Sequence, residues 1–253
     1  VGGLFGRLVV SAITDFVSWR MGLIVIGILY LAVGIAFFML LPKPKYQRQR
    51  QSGGLQLIKT FHTALANKKL LWIYLVAFLI MGSFVAVFNF ISYVLLAPPY
   101  SLSQTVVGLL FVVYLFGTFS STYMGRLSDQ HGNGRVLILG LLIMLTGGLL
   151  TLLQPLVFKF IGLAIFTFGM LGSHSVACGW VGKLNHGDKA QSSSMYMFFY
   201  YAGASSLGTL GGVFLESYGW SGVIGMVATA VIICLLVVVR LELSVSQHLL
   251  WHH

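Results

Sequence analysis

The sequence predicts an all-α membrane protein of about eight transmembrane helices, on three observations. Hydrophobic residues make up 58% of the 253, charged residues only 8%, and the mean hydropathy is +0.93. That composition leaves too little polar surface to cover a water-soluble globule. Apolar runs of about 20 residues, the length a helix needs to cross a hydrocarbon core, recur along the chain between charged, Pro or Gly boundaries. The basic residues fall almost entirely on one side once the runs alternate direction.

The expected spans are Val1 to Val17, Met21 to Leu41, Leu70 to Leu96, Thr105 to Met124, Val136 to Leu153, Leu156 to Val181, Ser192 to Leu215 and Trp220 to Val239. The first is the weakest, since it holds Arg7 and Asp15. Short alternating segments of the β-barrel kind are absent from the sequence, and backbone amides in lipid must be paired within each span, so the runs read as helices.

With that alternation, Lys43, Lys45, Arg48, Arg50, Lys59, Lys68, Lys69, Arg126, Arg135, Lys183, Lys189 and Arg240 share one side, and only Arg20 and Lys159 lie opposite. The positive-inside rule then puts the polar stretch from Pro42 to Lys69 and the C-terminus in the cytoplasm. The net charge of +10 is spread over short loops, which points to insertion topology and anionic headgroups as its partners and away from nucleic acid. Cys178 and Cys234 both lie in apolar runs, where packing is the expected role and neither a disulfide framework nor a metal cluster is. His248, His252 and His253 read as a solvated tail, with metal binding as the sharper alternative. No cofactor is expected.

Pro42 to Lys69 reads as a linker between two halves, with Leu55, Leu57, Ile58, Phe61 and Leu65 beside Lys59, Lys68 and Lys69 compatible with a surface-lying amphipathic helix or a plain solvated segment. The expected organisation is therefore 1–41, two helices; 42–69, linker; 70–240, six helices; and 241–253, tail. Asp15 and Trp19 recur as Glu216 and Trp220, each pair ending a glycine-rich helix, and Gly2-Gly3 faces Gly203-Ala204 in the same register. If the first two spans match the last two of a six-helix repeat, four helices precede them and the parent has twelve, an architecture of secondary transporters.

The stretch Gly125-Arg126-Leu127-Ser128-Asp129-Gln130-His131-Gly132-Asn133-Gly134-Arg135 resembles the major facilitator loop G-x-L-x-D-x-x-G-R, with Asn133 where the first arginine usually stands. Gly6-Arg7-Leu8, Ser18-Trp19-Arg20 and Ser205 to Trp220 are similar to bacterial inner-membrane permeases of the arabinose-efflux and drug-antiporter type. The resemblance implies helices 5–12 of a twelve-helix major facilitator fold. It also implies a multi-pass inner-membrane protein exporting a drug, sugar or metabolite by alternating access, with protons as the coupling ion by analogy. It assigns Gly125, Asp129, Gly132 and Arg135 to a cytoplasmic gating loop, and gives Arg7 a pairing or gating role with a partner in the preceding helices.

Physically, Gly125 could let the chain leave its helix, Asp129 could accept from the amides opening the next helix, and Arg135 could pair with Asp129. A plain reverse turn is the alternative. Ala204, Gly208 and Gly212, and Gly172, Ser175, Gly179 and Gly182, form small-residue stripes, which are mostly packing seams. Polar side chains at mid-membrane depth favour a bundle interior or a wet cavity. Asn89 and Tyr93 share one face of the third span, Tyr196 and Tyr200 share one of the seventh, and His174, between Ser173 and Ser175, is a proton-relay candidate. Interhelical packing and a satisfied hydrogen bond are the plainer roles for these residues.

Asp15, Asp129, Asp188, Glu216 and Glu242 all sit at or near expected helix ends, so no buried coupling acid stands out. An intramembrane enzyme built on Ser173 and His174 is disfavoured because adjacent helical residues diverge by about 100°. A passive channel and an inactive fragment remain as alternatives.

Overall fold

The computed structural model describes residues 19–41, 67–184 and 189–250, and every regular element among them is helical. They are α1 (Trp19–Leu40), α2 (Lys68–Leu96), α3 (Gln104–Leu109), a 3-10 turn (Leu110–Val113), α4 (Tyr114–His131), α5 (Asn133–Leu150), α6 (Leu156–Leu184) and α7 (Lys189–Leu250). The first expected span with Arg7, the Asp15 half of the internal repeat, nearly all of the linker, Asp188, and the terminal His252 and His253 lie outside the described residues.

Local chemistry sets the ends. Asn67 caps α2, its side-chain oxygen accepting from the amides of Lys69 at 3.1 Å and Leu70 at 3.4 Å, as the first unpaired N–H groups of a helix require. Pro98-Pro99 stops α2 by removing donors, and Ser103 caps α3 through the Val106 amide. Between α4 and α5 only Gly132 separates the helices, with φ 92°, a conformation that suits a residue without Cβ.

Three expected spans differ from the structure. Thr105 to Met124 is not one helix: α3 gives way to the 3-10 turn before α4 begins, and α4 then continues past Met124 to His131. Val106, Val107 and Gly108, then Val112 and Val113, make the early part a poor helix former. Ser192 to Leu215 and Trp220 to Val239 are joined without a loop in α7, whose 62 residues would reach about 93 Å if straight, three times a hydrocarbon core. The chain folds back at Gly219 alone (φ 64°, ψ −158°), so that Leu207 on one limb and Met226 and Ala230 on the other both lie beside Leu79 of α2. The last limb also runs to Leu250, well past the expected Val239, and takes up most of the 241–253 segment expected as tail.

Glycine seams bring the helices together. In α5 and α6 a Cβ added at Gly147 would lie 2.2 Å from the Phe166 nitrogen, and one at Gly169 would lie 2.3 Å from the Met144 nitrogen. Such approach is how helices gain close packing where lipid supplies no hydrophobic drive. Ser120 donates to the Phe168 carbonyl, Ser121 to that of Leu171 at 3.3 Å, and Ser175 back to that of Ser121 at 3.1 Å, joining α4 and α6 side by side. Phe84 and Phe88 of α2 meet Tyr114 and Phe166 in one aromatic knot, with centroids 4.7 to 6.2 Å apart. Of the stripes expected to be seams, Gly172 packs on Ser120 and Met124, and Gly208 and Gly212 pack on Val85 and Phe90. Gly179 and Gly182 instead face open space.

At the end away from the Lys-rich segments, Lys159 is only 4% exposed. Its ammonium donates to the Thr151 carbonyl and lies 5.9 and 6.0 Å from the ring centres of Tyr100 and Trp220. Trp220 Nε1 donates to the Thr151 carbonyl and hydroxyl, both at 3.1 Å, and Tyr100 donates to the Gln154 carbonyl. This knot ties the α2–α3 connection, the α5–α6 turn and the second limb of α7. Trp220→Phe keeps a ring but removes these bonds. It should lower unfolding stability in detergent by about 1 kcal/mol, read from thermal or SDS unfolding.

Candidate functional site

Two groups of polar side chains stand out. The first lies between α6 and the first limb of α7. His174 Nδ1 is 3.0 Å from the Tyr196 hydroxyl, which also donates to the His174 carbonyl at 3.5 Å. In that arrangement Nδ1–H donates to the phenol oxygen and Nε2 is left as the free acceptor. The Tyr200 ring lies over the imidazole with centroids 4.5 Å apart. Tyr196 is fully buried and Tyr200 nearly so, whereas His174 is half-buried. One to two turns further along α6, Cys178 is half-buried, Gly179 is exposed and Gly182 has open space above it. The imidazole is therefore held by the two tyrosines and keeps part of its surface exposed.

Asn89 and Tyr93 do not join this cluster. Both are exposed on α2, the Tyr93 ring tilted against that of Phe90 with centroids 6.3 Å apart and Asn89 lying near Gly208. Tyr74, which stacks on Phe199 and so marks the level of the tyrosines, is fifteen residues earlier on α2, about 22 Å along the axis. The five substrate-cavity candidates thus form a triad and a separate pair.

The second group lies at the basic end, around the α4–α5 turn. Lys183 Nζ sits 3.1 Å from both Asp129 Oδ1 and Asn133 Oδ1. Arg135 Nε is 3.9 Å from Glu242 Oε1, and the absent side chain at Gly134 makes room for that carboxylate, since a Cβ there would clash with it. The expected Asp129–Arg135 pair is corrected: each has a different partner, because α4 and α5 splay from Gly132 and α6 and α7 close in on either side. Gly125 is corrected too, being inside α4; Gly132 makes the turn. Lys183, Asn133 and Glu242 carry the contacts and were not legible as partners, since Lys183 lies 54 residues from Asp129.

Comparison with known proteins decides the family. Residues 74–249 match the family model described as Major Facilitator Superfamily. The chain belongs to the major facilitator superfamily. It is 40% identical over 237 residues to the "Uncharacterized MFS-type transporter YybF" of Bacillus subtilis, covering 93% of this chain and 58% of that protein. It is 41% identical over 242 residues to the "Inner membrane transport protein YnfM" of Escherichia coli, covering 96% and 58%, and 35% identical to an "Uncharacterized transporter" of Buchnera aphidicola, covering 96% and 59%. The chain thus spans somewhat over half the length of these curated relatives.

Membership makes this major facilitator chain a multi-pass membrane protein of a transporter family rather than an enzyme, and among the described residues five helices are long and apolar enough to cross a membrane. Ser173 and His174 accord with that: the Ser173 hydroxyl faces Gly140 of α5, while His174 faces the tyrosines of α7.

Proposed function

We propose that this chain is part of a secondary active transporter that exports a small drug, sugar or metabolite from a bacterial cell by alternating access, coupled to protons. Residues 70–240 act as the second six-helix bundle of a twelve-helix inner-membrane carrier, and residues 1–41 as the last two helices of the first. The linker and C-terminus are cytoplasmic, which puts the Asp129–Lys183 and Arg135–Glu242 contacts at the cytoplasmic mouth.

The observation that carries this reading is the His174–Tyr196–Tyr200 triad, with its half-buried imidazole, in a chain of this superfamily. A titratable imidazole at membrane depth, pinned by one nitrogen and free at the other, suits proton exchange with a cavity. The pairs at the basic end suit a gate, the exposed Asp129–Lys183 pair above all, because an exposed pair contributes little stability and can open at small cost.

The test is transport of a substrate panel in proteoliposomes under an imposed pH gradient, with this chain alone and with it joined to four preceding helices. The joined protein is expected to transport, and His174→Gln to slow it about tenfold, the scale of one lost buried hydrogen bond, while flattening its pH dependence. A pH dependence left intact by His174→Gln would remove His174 from coupling. Asp129→Asn is expected to slow transport severalfold while lowering stability by less than about 1 kcal/mol, as read from SDS unfolding.

A further inference from the structure

Between the start of α2 and the last limb of α7 runs a groove of about 430 Å³, lined by Trp72, Ile233, Leu236, Val237, Arg240, Leu241 and Ser244. Its walls are apolar except at one end, where Arg240 stands exposed. Lys68 lies one helical turn before Trp72, with Lys69 beside it, so the groove opens beneath three cations. Among the described residues no carboxylate pairs with Arg240, whereas Arg135 and Lys183 both have acidic partners. From Ile233 to Ser244 the groove follows α7 for about 16 Å, close to the depth of one leaflet of a hydrocarbon core about 30 Å thick.

We infer that this groove is a binding site for an anionic phospholipid. One acyl chain lies along Ile233, Leu236 and the Trp72 ring, and the phosphodiester rests against the Arg240 guanidinium. A planar guanidinium can donate two parallel bonds to one phosphate, and Trp favours the headgroup boundary where the groove ends. The charge decides the occupant: a zwitterionic lipid brings its own cation beside the phosphate, where Lys68, Lys69 and Arg240 already crowd positive charge, and a second apolar helix would bury Arg240.

The groove can be read directly through Trp72. The chain is reconstituted in phosphatidylcholine vesicles with increasing fractions of brominated phosphatidylglycerol or brominated phosphatidylcholine, and the quenching lost on Trp72→Phe is assigned to the groove. Half-saturation is expected at about fivefold lower mole fraction for the anionic lipid, the scale of one basic residue near a membrane surface. Arg240→Gln should make the two lipids equal, and Arg240→Lys should keep part of the preference. Equal half-saturation in the unsubstituted chain overturns the site, as does a preference that survives Arg240→Gln. Trp72 quenched by neither lipid also overturns it, showing the groove filled by protein, whether another segment or a second copy.

Discussion

Gly203→Ala should destabilise the bundle by about 3 kcal/mol or more, although it adds a single methyl group. A Cβ at this position would lie 1.9 Å from the Phe78 carbonyl oxygen and 2.6 and 2.7 Å from its carbon and α-carbon. All three are backbone atoms of α2, so no side chain can turn aside, and the two helices would have to move apart along a contact that continues to Gly208 and Gly211. Gly179→Ala is the matched control. Nothing lies within 4 Å of its added Cβ, and an alanine in a helix is favoured over glycine by up to about 1 kcal/mol. The same chemical change should therefore have opposite signs at the two positions in SDS or thermal unfolding. Equal melting of both variants would mean that α2 and the first limb of α7 do not meet at Gly203.

Lys159→Glu is the second large effect, expected to cost about 4 kcal/mol or to abolish accumulation of folded protein. The ammonium is enclosed by a carbonyl oxygen and two aromatic rings, the negative end of a dipole and the negative faces of two quadrupoles. A carboxylate there would meet repulsion from each and would be buried without a donor. Lys159→Met keeps the length and packing of the side chain and gives up only the charge. It should cost under about 2 kcal/mol, because the Thr151 carbonyl keeps its bond from Trp220. Comparable losses for Glu and Met would show that the site recognises shape rather than charge. The same geometry accounts for a cation on the sparsely charged side of the molecule: Lys159 is solvated by groups of the protein rather than displayed to a leaflet.

What could be read from the sequence was what depends on position along the chain. Hydropathy located the apolar runs, and all seven of those that reach into the described residues fall on helices. It misjudged where helices end, because a helix does not stop where lipid does: Gly125 to His131 turn polar and stay helical. A break between Leu215 and Trp220 was legible, but not that Gly219 alone makes the connection, since that depends on one residue's φ and ψ. The family loop was recognisable, yet its ion pairs were not, because Asp129 finds Lys183 and Arg135 finds Glu242 only after distant helices pack. Likewise the tyrosines and His174 were each visible as polar residues at depth. Only the packing of α6 on α7 separated them from Asn89 and Tyr93.

The partnership of α2 with α7 also sets an order of events during synthesis. The Cys234 sulfur lies against the Val76 carbonyl, a contact spanning 158 residues of chain. At about 5 to 20 residues per second, the ribosome needs about 8 to 30 s to make that stretch. During that interval the face of α2 shaped for Gly203 and Cys234 waits for its partner helix. A ribosome stalled before residue 203 should therefore leave α2 inserted yet open to cross-linking along Phe78 and Val85, and release of the stall should close that face.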